Sequence, residues 1–343
     1  TLRHTLFPYT TLFRSLNRRN EDGWLNRRGG IFIIRTDQIQ KSQRVLLETA
    51  ARVILDADHG NLVDQLQCLE QQPRRLPSFT ATASPPEDES IVPPLQRPDD
   101  LRFDNGLGGF SPNGRDYVLY LEPDEHTPHP WINVIANPDF GFLVSESGAG
   151  YTWAINSGEN RLTSWKNDPV IDPPGEAIYL REEEVGHFWS PTPSPAGEES
   201  PYLIRHGIGY STFEHHSHGL KQKVRFFAAP NDPVKFIQVQ LENTWPRTRR
   251  VNVTYYAEWV LGTTRSAMSP FIIPEFDTNT QTLLAHNPYN AEFGERTAFL
   301  TATRAVHGLT TDRTEFLGRM GSYCCPEALN RVGREYTTLE VAD

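Results

Sequence analysis

Cysteine is scarce in this chain. Three occur in 343 residues, Cys68, Cys324 and Cys325. The last two are adjacent and badly placed to bridge each other, so a disulfide framework is excluded and a reducing compartment is favoured. Long apolar runs are missing too: no stretch approaches the roughly 20 residues that span a bilayer. Positive charge is in deficit, with 33 Lys and Arg against 43 Asp and Glu and a formal net charge of -10. Phosphate backbones and anionic membranes call for clustered cations, so nucleic acid is not an expected partner. A neutral ligand such as a sugar stays open. Gly106, Gly108 and Gly109 allow tight turns, but no GxGxxG frame or Lys-Ser/Thr pair follows, which argues against a nucleotide site. No G-x-S-x-G elbow and no Cys-His frame is present.

The head of the chain has its own texture. "TLFPYTTLFRS", Thr5 to Ser15, has no helical or strand period. It lacks the continuous apolar core and small-residue cleavage site of a signal peptide. One choice of codons for it reads as a common short-read sequencing adapter, so residues 1–15 are expected to be an adapter-derived artefact. Residues 16–72 read as a short strand, Ile31 to Arg35, and a helical hairpin. Its first helix is expected over Ser42 to Ala57, where Leu46, Ala50, Val53, Ile54 and Ala57 recur at helical spacing. Asn61 can cap a second carrying Leu62, Leu66 and Leu69. Residues 73–98 hold seven prolines among Ser, Thr and acidic residues. Proline offers no donor to a ladder, so this reads as an extended linker.

From Leu101 onward, short runs rich in Val, Ile, Tyr, Phe and Trp alternate with Gly, Pro, Asn and Asp. "DYVLYLE", "FGFLVSE", "AIYLRE", "YLIRHG", "KVRFFAA", "VKFIQVQLEN", "RVNVTYYAEWVLG", "QTLLAHN" and "TAFLTATR" predict strands, and "NGRDY" and "PNDPV" their turns. In the sixth run Ile237, Val239 and Leu241 share one face, and Phe236, Gln238 and Gln240 the other. Many short strands without long intervening helices predict a mainly β protein, a large antiparallel sandwich over residues 99–322. The strand signal fades after Leu317 into a polar tail.

Candidate chemistry concentrates in "GYTWAINSGENRLTSWKND". Tyr151, Trp153 and Trp165 stand among Asn156, Ser157, Asn160, Arg161, Thr163, Asn167 and Asp168. Aromatic faces with amides and an arginine suit a sugar, whose C–H faces stack on rings while its hydroxyls take polar partners. A polar loop whose tryptophans pack in the sandwich is the alternative. "EHHSHG" sets His216 and His218 on one face if extended, beside His215; no carboxylate or thiolate is tied to them by a metal-site spacing, so a solvated strand end is expected and no metal. Among the acids Glu146, Glu176, Glu182, Glu183, Glu184, Glu214 and Glu258, the run 182–184 reads as a solvated turn. Glu258, between aromatics in mid-strand, is either paired or ligand-facing. A glycosidase needs two such groups facing each other across a cleft.

Longer motifs carry a resemblance. "NGLGGFSPNGRDYVL", "PWINVIANPDFGFLVSESGAGYTWAINSGENRLTSWKNDPV", "RHGIGYSTFEH", "VTYYAEWVLG" and "TDRTEFLGR" resemble the phosphorylase-like portion of cyclic β-1,2-glucan synthases. That portion belongs with the cellobiose and chitobiose phosphorylases of glycoside hydrolase family 94. The resemblance covers roughly Asp99 to Ser322, and Gly30 to Gln72 is similar to the stretch preceding it in these synthases.

It implies a galactose mutarotase-like β-supersandwich followed by a helical linker and an (α/α)6 barrel. In the family an Asp of the barrel is the general acid, and inorganic phosphate attacks the anomeric carbon with inversion. The sandwich packs on the barrel and helps form a homodimer. The parent synthase would sit at the cytoplasmic side of a bacterial inner membrane. On this reading residues 323–343 begin the linker to a barrel that this chain lacks. No catalytic residue can then be carried onto any position, no cofactor is implied, and the chain alone is expected to be inactive. Tyr151, Trp153, Asn156, Ser157, Arg161, Thr163, Trp165, Asn167 and Asp168, with Arg205, His206 and Tyr210 of "RHGIGY", become candidates for a surface facing β-1,2-glucan or the barrel. An independent sugar-binding module, and a complete enzyme using carboxylates of the sandwich, are the competing readings.

Overall fold

The computed structural model describes residues 34–51 and 93–330 continuously, with residues 32, 55, 61, 65, 81 and 82. The chain divides into two compact units, Thr1–Leu76 and Pro77–Asp343. Residues 1–15, most of the second helix of the hairpin and most of the proline-rich stretch lie outside the described residues.

In the first unit a 3-10 turn, Thr36–Gln38, leads into helix α1, Lys41–Ala50. The Gln40 amide donates to Gln43 Oε1 at 2.9 Å, tying the first turn back on itself. The predicted helix over Ser42–Ala57 is shorter than expected, because Ala51 turns to an extended conformation (ψ 128°). The expected strand over Ile31–Arg35 is not formed: Phe32, Ile34 and Arg35 are outside any ladder, and both apolar side chains are exposed.

The second unit is built from strands. In chain order they are β1 (Gly108–Phe110), β2 (Asp116–Leu121), β3 (Ile132–Ala136), β4 (Phe140–Ser145), β5 (Gly150–Ala154), β6 (Arg161–Thr163), β7 (Glu176–Glu182), β8 (Phe188–Trp189) and β9 (Tyr202–Gly207). There follow β10 (Tyr210–Ser217), β11 (Leu220–Ala228), β12 (Lys235–Asn243), β13 (Val251–Ala257), β14 (Trp259–Gly262), β15 (Ile273–Asp277), β16 (Thr282–His286) and β17 (Thr297–Thr301). Every predicted run carries one. All pairings are antiparallel.

A six-stranded sheet has the order β1-β2-β9-β10-β11-β12; a five-stranded sheet, β14-β6-β5-β4-β3, lies across from it. Three-stranded sheets β13-β7-β8 and β15-β16-β17 extend the second layer. The main core fills the space between layers: Leu119, Ile204, Phe213, Val224 and Phe226 from one, Phe140, Phe142, Val144 and Ile178 from the other. Burying one such side chain is worth about 1.5–3 kcal/mol, so the alternating strands drive the assembly. β11 shows the pattern well: Leu220, Gln222, Val224 and Phe226 face in, Lys221, Lys223 and Arg225 out. β12 alternates with the period read from its sequence.

The run Arg250–Gly262 is one strand in sequence and two in space. It switches sheets at Glu258, whose amide donates to Gly175 O (2.9 Å) while its carbonyl accepts from the Ser164 amide (3.0 Å). Only glycine fits at 175, since a Cβ there would lie 1.9 Å from Ser164 O. This joint binds the five-stranded sheet to the β13-β7-β8 sheet.

Two segments expected outside the sandwich pack on it. Leu95 covers Val118, Tyr120 and Leu203, and Leu95 O accepts from Tyr120 Oη at 2.9 Å. Helix α2 (Arg265–Met268) is a single turn, whereas α3 (Arg313–Leu317) and a 3-10 turn, Glu327–Asn330, close the outer face of the β13-β7-β8 sheet. Phe316, Leu317 and Leu329 bury against Ala177, Tyr179 and Tyr256, and Tyr179 Oη donates to Tyr323 O at 2.7 Å. Residues 323–330 thus pack on the sandwich, with Leu329 buried against it. No described helix is long and apolar enough to cross a membrane.

Candidate functional site

Strand period places the aromatic cluster. In β5, Thr152 turns inward and donates to Glu176 Oε1 at 2.5 Å. Tyr151 and Trp153, its neighbours on either side, therefore share the outer face of the five-stranded sheet. Tyr151 stacks flat on Trp165, centroids 4.8 Å apart and planes 7° from parallel. Trp153 leans against Tyr151, centroids 5.2 Å apart and planes 37° from parallel. The indole of Trp153 crosses its neighbour strand at Gly141, where a Cβ would lie 2.4 Å from Cζ2. The Arg161 guanidinium sits 5.8 Å from the Tyr151 centroid and 5.9 Å from that of Trp165. It donates to Ser157 O (3.2 Å) and Trp165 O (3.4 Å). The result is a three-ring platform with a cation fixed at its edge, an arrangement suited to stacking against an apolar sugar face.

Not all of the predicted residues serve this surface. Tyr151 is 4% exposed, so it supports the platform and cannot itself meet a ligand; burial also pushes its phenol pKa up. Thr163 turns into the interior, where it donates to Glu176 Oε1 (2.7 Å) and accepts from the Thr152 amide. Trp153, Arg161 and Trp165 are partly open, and Asn156 and Ser157 are exposed beside them. Asn156 Oδ1 is spent on the turn, accepting from the amides of Gly158 and Glu159. Asn167 takes a positive φ of 50° at an exposed bend. The amides of Val170 and Ile171 cap Asp168 and hold its carboxyl below the usual range.

Arg205, His206 and Tyr210 lie elsewhere, on the β9–β10 hairpin of the six-stranded sheet. Tyr210 Oη donates to Asp116 Oδ1, and Arg225 stacks over its ring at 4.5 Å. His206 Nδ1 lies 2.9 Å from Ser211 Oγ, and burial lowers its pKa to about 4. Asn133 of β3 donates to Gly207 O, Tyr210 O and Ser211 Oγ, locking this hairpin to the other layer. No hydrogen bond or ring contact joins the two groups among the described residues. The two groups lie on different sheets.

The acids are all partnered. Glu176 is buried among Lys235, Thr152, Thr163 and Tyr255. Burial alone would raise its pKa, but Lys235 and the hydroxyls outweigh this and hold it low. Glu258 Oε1 meets Arg313 Nε (2.9 Å), Arg265 Nε (3.2 Å) and the hydroxyls of Tyr256 and Tyr323. Of its two open readings, it is the paired one. Of the run at 182–184, Glu183 and Glu184 do lie in a turn, partly exposed, whereas Glu182 is buried at the end of β7 between Arg247 and Arg249 (3.0 and 2.7 Å). Glu183 and Glu184 take Arg181 and Arg250. Glu214 pairs with Lys223. Glu146 accepts from Thr127 Oγ1 and the Trp131 amide, and burial raises its pKa.

The histidine motif is also rearranged. His215 is wholly buried rather than solvated, stacked on Tyr202 at 3.9 Å. Its neighbour His216 turns to Pro93 O. β10 ends at Ser217, so His218 enters a two-residue turn with positive φ and no longer shares a face with His216. Asp116, Asn133 and Arg225 went unmarked by sequence reasoning, since each acts through a cross-sheet contact that spacing does not reveal.

Comparison with known proteins agrees with the architecture. The family of the glycosyl hydrolase 94 supersandwich domain matches residues 115–342, running on through the segment after Ser322. Among curated proteins, the chain is 35% identical over 313 residues to a cyclic beta-(1,2)-glucan synthase of Rhizobium meliloti, covering 87% of this chain and 11% of that one. It is 30% identical over 155 residues to an N,N'-diacetylchitobiose phosphorylase of Vibrio furnissii (44% and 19% covered). It is 27% identical over 241 residues to a solabiose phosphorylase of Paenibacillus borealis (66% and 30% covered). The chain thus spans about a tenth to a third of the length of these relatives. With its paired antiparallel layers and a family match over most of its length, this chain belongs to the glycosyl hydrolase 94 supersandwich family.

Proposed function

We propose that this chain is the supersandwich portion of a cyclic β-1,2-glucan synthase, and that it shapes the glucan-binding surface without performing turnover itself. The observation carrying the reading is the outward platform of Trp153, Tyr151 and Trp165 with Arg161 at its edge. Trp153 and Trp165 offer ring faces to the glucan, and Arg161, Asn156 and Ser157 offer polar contacts to its hydroxyls. The hairpin of Arg205, His206 and Tyr210 is a second surface, turned toward a catalytic (α/α)6 barrel of the parent protein. That barrel would supply the general acid and the binding of inorganic phosphate. The parent would work as a homodimer at the cytoplasmic side of a bacterial inner membrane.

The partnered state of the acids supports the non-catalytic part. Inverting cleavage needs an acid held protonated and a second group opposite it. Glu176, Glu182 and Glu258 are instead ion-paired and buried. The test is phosphorolysis: the chain incubated with β-1,2-glucan and inorganic phosphate is expected to release no glucose 1-phosphate. Release that scales with protein concentration and disappears in Glu258→Gln would overturn the assignment in favour of an enzyme working within the sandwich.

A further inference from the structure

Three side chains from three separate loops converge at one end of the second unit. His187 comes from the β7–β8 turn, Glu198 from the β8–β9 loop and His218 from the β10–β11 turn. His187 Nε2 lies 3.0 Å from Glu198 Oε1, and His218 Nε2 lies 3.0 Å from Glu198 Oε2. One nitrogen from each ring and one carboxylate oxygen all fall within 4.8 Å of one another. His218 Nε2 is buried and, despite the nearby carboxylate, makes no hydrogen bond of good geometry. The three groups thus face one another across a short gap.

The surroundings hold these groups in place. The rings of His187 and His218 both lie against Trp189, at 5.6 and 4.7 Å, and Trp189 is fully buried with its Nε1 donating to Gln222 Oε1. The Glu198 amide donates to Tyr202 Oη, which in turn donates to Ser190 O. His218 is fixed by its turn, with φ of 49° followed by Gly219 at 66°, and by Arg249 donating to its carbonyl. Such support of the ligands' orientation is what a metal site requires. A cleft of about 410 Å³ lined by His187 and Glu198 gives an ion a path from solvent.

We propose that His187, Glu198 and His218 form a divalent metal site of the zinc class, with both Nε2 atoms and the carboxylate as protein ligands and water completing the shell. Two imidazoles and a carboxylate are borderline donors, which favour Zn²⁺ over Ca²⁺ or Mg²⁺. Ligand atoms stand about 3.3–3.6 Å apart around a tetrahedral ion with bonds near 2.0–2.2 Å, so the three groups, now within 4.8 Å of one another, would close by about 1 Å as the ion enters. The ion would clip the β7–β8 turn of the second layer to the β10–β11 turn of the first, closing the end of the sandwich as a structural staple.

The experiment uses the chelator-treated full chain titrated with ZnCl₂ by calorimetry, with thermal unfolding read at each ratio. Saturation near one equivalent and a rise in Tm are expected. Glu198→Gln and His218→Gln should weaken binding at least tenfold and abolish the Tm response. His216→Gln, which removes a histidine outside the cluster, should bind as the parent does. If a buried-ligand variant fails to fold by circular dichroism, His187→Gln decides, since that ring is half exposed. Absence of saturable binding, or binding unchanged in His187→Gln, overturns the proposal and leaves the cluster as an ion-paired carboxylate. Loss of binding in His216→Gln alone overturns the ligand assignment.

Discussion

At the residue scale, the buried charges of this sandwich work as fasteners between its layers. Glu176, at the start of β7, takes Lys235 from β12 of the opposite layer, and both side chains are nearly inaccessible. Lys235 also rests 4.5 Å from the Phe142 centroid. Removing one partner leaves the other charged and unsolvated, which costs about 3–5 kcal/mol, whereas replacing both by apolar groups can be nearly neutral. Glu176→Gln is therefore expected to lower unfolding stability by about that amount in urea melts, and Glu176→Leu/Lys235→Met to recover part of it, since the hydroxyls of Thr152, Thr163 and Tyr255 lose their acceptor. A double variant as unstable as the single one would contradict this.

His215 gives a second residue-scale expectation. Its Nδ1 lies 3.1 Å from Pro201 O, which can only accept, so the neutral ring carries its proton there. Burial lowers its pKa from 6.5 to about 4. Between those values the unfolded chain binds a proton that the folded chain refuses. Stability from this site is thus intact above pH 6.5 and lost as the pH falls toward 4, by about 2–3 kcal/mol. His206 acts with the same sign. Urea midpoints at pH 7 and pH 5 should differ less in His215→Gln than in the parent; an equal difference would refute the assignment.

At the element scale, the strands were legible because apolar and polar residues alternate with period two, as in β11 and β12. The switch of sheets at Glu258 was not, since a strand that changes partners keeps its alternation. What marks it is Gly175, the only residue small enough to let Ser164 O approach. Gly175→Ala is expected to cost about 2–3 kcal/mol or more, because backbone lies on both sides of the clash. A loss under about 0.5 kcal/mol would show that the joint can open. The small elements near the end of the sandwich were illegible for a different reason: α3 has five residues, too few for a helical period to register.

At the scale of the whole molecule, the resemblance and the strand pattern together fixed the class of fold, while the grouping of the candidate residues was only partly legible. The sequence put Tyr151, Trp153 and Trp165 together correctly, because they lie on one strand and the loop that follows it. Arg205, His206 and Tyr210 lie on another sheet, a separation that only sheet order reveals. Sequence reasoning missed His187 with Glu198 and His218, whose three loops meet only after the layers have packed. The platform is the part of the molecule on which the functional account stands. Its most direct measurement is a titration of the chain with β-1,2-linked gluco-oligosaccharides, read by intrinsic tryptophan fluorescence in the parent, Trp153→Ala and Trp165→Ala. A saturable change that either substitution abolishes is the expected result; no change in the parent, or a change that survives both substitutions, would contradict a glucan-facing platform.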